Sequence, residues 1–104
     1  QRCIDKGVRI VNGSDSYRTL SHGENADEMV NMNMAGMSNM EVLLAATKNA
    51  AEAFGIAEEL GTIEPNKLAD IIMIEGDPLA DLRILQDRSK IRKVIKAGRL
   101  FVER

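Results

Sequence analysis

The sequence predicts an α/β chain in the order strand, two helices, then strands. Three observations carry that prediction. Residues 7–12, GVRIVN, form a short apolar run with β-branched residues, the composition of a strand. Ser38 followed three residues later by Glu41 opens an alanine-rich stretch with the signature of a capped helix. From Gly61 onward, apolar runs alternate with turn residues, as successive strands do.

A chain of 104 residues falls within the range of one compact domain, and 44% apolar residues suffice for a core. Aromatics make up only 3%, so Ala, Leu, Ile, Val and six methionines must fill that core. The formal net charge of −2, with acids and bases interspersed, argues against a nucleic-acid partner, which calls for a clustered basic face. The one basic stretch, residues 88–99, alternates with apolar residues and reads as the wet face of a strand. Cys3 is alone, so no internal disulfide forms and no oxidising compartment is required; the expected location is the cytoplasm. No apolar run approaches the roughly 18 residues that span a bilayer, so no membrane partner is expected. The start at Gln1, without Met, reads as a cut through a longer sequence from which any leader has been lost.

Each element has its own local reason. The first strand stops at Gly13-Ser14-Asp15-Ser16, residues that favour turns. Residues 24–34 have helical composition and close at Gly36, which suits the position just past a helix end. Ser38 and Glu41 then cap a helix expected to run unbroken through VLLAATKNAAEAF to Gly55. Its alanines (45, 46, 50, 51 and 53) allow close approach of another layer. Residues 61–66 are turn-rich, and Asn66 is of the type that, after glycine, best tolerates a positive φ. Residues 68–75, LADIIMIE, predict a strand that Gly76-Asp77-Pro78 ends, because proline cannot continue a ladder. Residues 81–86 suit a helical turn. Residues 91–96 and 99–102 flank Ala97-Gly98 as a β-hairpin. A lone strand ahead of two helices leaves its N–H and C=O groups unpaired, so the order calls for a partner sheet.

Five stretches, GVRIVNGSDS, SHGENADEM, AGMSNMEVLLAATKNAAEAFGI, LGTIEPNKLADIIMIEGDPLADL and KVIKAGRLF, cover nearly the whole chain. In order and spacing they resemble the C-terminal end of the amidohydrolase superfamily, in its imidazolonepropionase-like and Xaa-Pro-dipeptidase-like branch. The resemblance implies a (β/α)8 barrel flanked by a small β-sandwich built from both chain ends. Residues 1–60 would then supply the last barrel strand, the catalytic-Asp loop and outer helices, and residues 61–104 the C-terminal strands of the sandwich. It also implies hydrolysis of a C–N bond in a cyclic amide, an N-acyl amino acid or a dipeptide by metal-activated water.

The family's acidic residue in the G-[ST]-D-[ST] motif carries over to Asp15, as ligand of a divalent metal, zinc being the usual one, and as proton acceptor from the attacking water. Barrel chemistry gathers at the C-terminal ends of strands, where this residue falls. Taken alone, an Asp in a GSDS turn would be a turn former or a helix-cap acid; the surrounding pattern reverses that reading. His22, the only histidine, is ordinarily a loop residue; the family's His-Gly at the barrel mouth implies a substrate contact but no metal ligation. Glu24 and Asn25 are lesser candidates for the same mouth. Cys3 reads as a passive thiol. Met29, Met32, Met34, Met37 and Met40 could form an adaptable binding surface, but their placement between two helices favours gap filling between layers.

The remaining ligands that the resemblance implies, a His-x-His pair, a Lys or Glu and further histidines, are absent. A catalytic zinc takes three protein ligands and a water, so one carboxylate does not hold it. The chain alone is therefore expected to be inactive and without bound metal. Its expected partners are a small amide or peptide substrate for the parent enzyme, and either the missing N-terminal part or further copies of itself. The competing reading is a non-catalytic remnant that assembles with itself or another chain through exposed strand edges.

Overall fold

The computed structural model describes residues 2–13 and 26–104. Its elements are α1 (Arg2–Asp5), α2 (Ala26–Met34), α3 (Asn39–Ala46), α4 (Lys48–Ala53), β1 (Ile71–Ile74), two 3-10 turns (Leu82–Gln86 and Arg88–Lys90), β2 (Ile91–Lys96) and β3 (Arg99–Glu103).

The helical half follows its local signals closely. Asp27 and Glu28 sit in the first turn of α2, where the helix dipole favours negative charge. At its end the Met37 amide donates to Met32 O and the Gly36 amide to Asn33 O, the paired bonds of a Schellman stop. Met32 and Met37, thus brought together, are both buried. The capping box of α3 is complete: Glu41 N donates to Ser38 Oγ at 3.1 Å and Ser38 N to Glu41 Oε1 at 3.2 Å.

The expected single helix to Gly55 is instead two. Thr47, at φ −124° and ψ −87°, leaves helical geometry between α3 and α4. Its hydroxyl donates to Leu43 O at 2.7 Å, taking the carbonyl that the Thr47 amide would occupy in a continuous helix. That amide turns to Leu44 O instead, three residues back. After α4 the chain stops at Gly55 with a second Schellman pair, Ile56 N to Ala51 O and Gly55 N to Glu52 O. The following loop folds back so tightly that a Cβ on Gly61 (φ +102°) would lie 2.6 Å from Ala51 Cβ. Here the alanine-rich helix permits the close approach its composition suggested.

The expected strand at residues 7–12 makes no ladder among the described residues. Strands need a neighbour about 4.8 Å away, and among the described residues the three strands pair with one another. The segment is tied to α3 by the backbone bond from Asn12 N to Ala45 O at 3.0 Å, and Ile10 packs on the core. Val8 and Val11 stay 54% and 42% exposed. Before it, α1 was not foreseen; it closes as Gly7 N donates to Ile4 O and Val8 N to Cys3 O.

The sheet is antiparallel in the order β1-β2-β3, with Ile72 opposite Val94 and Val94 opposite Val102. The 68–75 run supplies only four strand residues. Its first part holds the hairpin turn instead: Asp70 Oδ1 accepts from Ala97 N at 2.8 Å and Ala69 O from Gly98 N at 3.1 Å. Ala97 and Gly98 lie at φ 50° and 79°, the two positive values that a tight hairpin turn of type I′ requires. Asn66, at φ 69°, takes the conformation expected of it. The expected helical turn at 81–86 is a 3-10 turn capped by Asp81, whose Oδ1 accepts from Arg83 N at 3.0 Å.

The main core lies between α2, α3 and this turn. Val42 and Ala45, three residues apart on one face of α3, are fully buried against Met32, Met37, Leu82 and Leu85. Ile74 at the end of β1 reaches the same cluster.

Candidate metal-site segment

The segment read from sequence as catalytic lies in the chain between Gly13 and Ala26. Asp15 and His22, with Glu24 and Asn25, lie outside the described residues. What the structure gives is the footing on either side. On the N-terminal side, Ile10 is seated in the core and the Asn12 amide is tied to the C-terminal end of α3. On the C-terminal side, Ala26 and Met29 of α2 pack against the same cluster. Asp27 Oδ1 there accepts from Gln86 Nε2 at 2.8 Å. Both ends of the segment thus rest on the best-packed part of the molecule.

Asn12 is the one residue here that sequence reading passed over. Its side-chain oxygen is buried with no hydrogen-bond partner, which buried polar atoms rarely are. A polar residue closing the β-branched run Val8–Val11 was the available signal.

The described residues contain no group of three or more His, Cys, Asp or Glu that could hold a metal. They therefore do not fit a catalytic zinc by themselves, since such a site needs three protein ligands. The perturbed acids among them are structural. The Ser38 hydroxyl and amide hold the Glu41 carboxyl below its usual range. Thr62 and then Lys67 do the same for Glu64, the Arg83 amide and side chain for Asp81, and Ser89 for Asp87. Glu41, Asp81 and Asp87 take part in helix or turn caps, and Glu64 pairs with Lys67.

Cys3 is exposed. Among the methionines, Met32 and Met37 are buried and Met29 packs against them, as gap filling requires. Met34 and Met40, at 79% and 50% exposure, do not join the core; each lies at a helix end and faces outward. In the basic stretch, Arg92 is exposed and pairs with Glu75 at 3.1 Å, as a solvated strand face should. Arg9 likewise pairs with Glu52, joining the 7–13 segment to α4 on the surface. An apolar groove of about 420 Å³ lies between α4 and β1, lined by Ala50, Phe54, Ile63, Leu68 and Ile72. Asp70 is the one acid among its described lining residues, which form no metal-binding cluster. No helix among the described residues is long and apolar enough to cross a membrane.

Comparison with known proteins defines the class. The amidohydrolase family model matches residues 1–101, and the chain belongs to that family. Within it, the similarity is to enzymes of several names. The imidazolonepropionase of Thermoplasma volcanium is 33% identical over 97% of this chain and 25% of its own length. The ochratoxinase of Aspergillus niger is 34% identical over 97% of the chain and 21% of its own length. A crystal structure of a Xaa-Pro dipeptidase with methionine bound in its active site superposes with a TM-score of 0.88 at 36% identity. It covers 97% of this chain and 24% of the dipeptidase. The chain therefore spans about a quarter of the length of the relatives it matches.

Proposed function

We propose that these residues form the C-terminal part of a metal-dependent amidohydrolase that hydrolyses a C–N bond in a cyclic amide, an N-acyl amino acid or a dipeptide. The observation that carries this reading is the family match over residues 1–101, with Gly13-Ser14-Asp15-Ser16 inside it. In this reading residues 7–12 are the last strand of a (β/α)8 barrel, residues 1–60 complete that barrel's final unit, and residues 61–104 contribute strands to a flanking sandwich. The missing ladder of residues 7–12 agrees with this, because a barrel strand finds its neighbours on either side in other parts of the barrel.

Asp15 is the residue of this chain that would hold the metal, zinc in the usual case, and carry a proton from the attacking water to the leaving amine. His22 contacts the substrate from the mouth of the barrel. A bound zinc brings the pKa of its water towards neutrality. The other ligands lie on polypeptide outside these 104 residues, so the chain alone is inactive. The groove between α4 and β1, and the exposed Val8 and Val11, are surfaces that such polypeptide would cover.

The test is to express the chain joined to the coding sequence that precedes it and to assay hydrolysis of small amides and dipeptides. Asp15→Asn is expected to lower kcat roughly 10²–10⁴-fold with the circular dichroism spectrum unchanged. Unaltered kcat would remove Asp15 from the mechanism. Stoichiometric zinc together with hydrolysis by the isolated chain would overturn the division of ligands.

The second reading, a non-catalytic chain that assembles with copies of itself, is favoured by β1, an edge strand of Ile71, Ile72, Met73 and Ile74 with no charge to guard it. Sedimentation of the isolated chain decides it: a well-folded monomer at high concentration removes this reading.

A further inference from the structure

We draw no further inference here: the strongest candidate, the apolar groove between α4 and β1 lined by Phe54, Ile63 and Ile72, carries nothing beyond the association already proposed, because nothing in the structure shows what covers it.

Discussion

In the helical layer Val42 and Ala45 are wholly shielded and Leu82 is 3% exposed, whereas in the sheet Ile72 and Met73 are each 50% exposed. No strand residue is among the fully buried ones. Both regions are rich in aliphatic residues, so composition does not separate them. Partners do. The apolar stripe of α3 meets α2 on one side and the 82–86 turn on the other, all from the same chain. The sheet has three strands, and a sheet needs a second layer against at least one face. Along the groove β1 faces only α4 and the 56–63 loop, which leave Phe54 and Ile63 more than 80% exposed. One half is thus closed by local sequence; the other leaves much of its apolar surface uncovered.

The widest gap between the two halves should appear on truncating one large side chain in each. Leu82→Ala removes a side chain packed against α2 and α3 and is expected to cost about 2–5 kcal/mol. Ile72→Ala removes one that is half in water and should cost less than about 1 kcal/mol in the isolated chain. Urea midpoints followed by circular dichroism read both. Equal losses would mean that the sheet is as well packed as the helices, and the contrast would fail.

The junction between the halves is the next point of stress. Gly61 is where the chain leaving α4 crosses back toward the sheet, and an added methyl would meet Ala51 Cβ at 2.6 Å and Thr47 O at 3.1 Å. Gly61→Ala should destabilise by about 2–3 kcal/mol, from overpacking together with a backbone at φ +102° that side chains avoid. Because Ala51 Cβ is the nearer obstacle, Ala51→Gly in the same chain should recover only part of the loss: it removes that contact, leaves Thr47 O at 3.1 Å and φ unchanged, and introduces a helix glycine costing about 1 kcal/mol. Full recovery would show that φ contributes nothing.

A smaller effect, confined to the helical half, comes from the cap of α3. Ser38→Ala should cost about 1 kcal/mol at neutral pH. The Glu41 carboxyl is held below its ordinary value of 4.5 by the Ser38 hydroxyl and then its amide, so its folded-state pKa is depressed. A depressed pKa stabilises the fold above the unfolded value and loses that contribution as pH falls through the folded one. The difference between the parent and Ser38→Ala is therefore expected to be full well above the ordinary value of 4.5 and to narrow as pH falls below it. A difference independent of pH would sever Glu41 from the cap.

These cases also mark what the sequence discloses. The cap at Ser38, the stops at Gly36 and Gly55, the turn at Ala97-Gly98 and the positive φ of Asn66 are all decided within a few residues, and all were legible. The break at Thr47 was not, because a threonine hydroxyl binding the carbonyl four residues back competes with an otherwise good helical stretch, and only geometry settles the contest. Residues 7–12 read as a strand on composition, but a ladder depends on neighbours that composition cannot supply. Met34 and Met40 illustrate the same limit: side-chain type says what could be buried, and placement at a helix end decides otherwise. For the candidate site, the motif around Asp15 was readable, but Asp15 lies outside the described residues, and among those no group of three or more His, Cys, Asp or Glu could hold a metal.

The hairpin turn offers the finest test of the contrast, since it belongs to the open half yet is anchored by hydrogen bonds rather than by packing. Ala97 sits at φ 50°, a conformation that costs an alanine about 1–2 kcal/mol and a glycine far less. The bond from its amide to Asp70 Oδ1 does not involve the methyl, so Ala97→Gly keeps the anchor. Glycine's greater freedom in the unfolded chain offsets about 0.5–1 kcal/mol of the relief. The net expectation is a gain of roughly 0.5 kcal/mol, visible as a small rise in the thermal midpoint. Asp70→Ala in the same background should lower it again, because the Ala97 position then loses the acceptor that fixes the turn against β1. If the glycine variant is less stable than the parent, the methyl of Ala97 makes a contact worth more than the strain, and the sheet end is better packed than its exposure indicates.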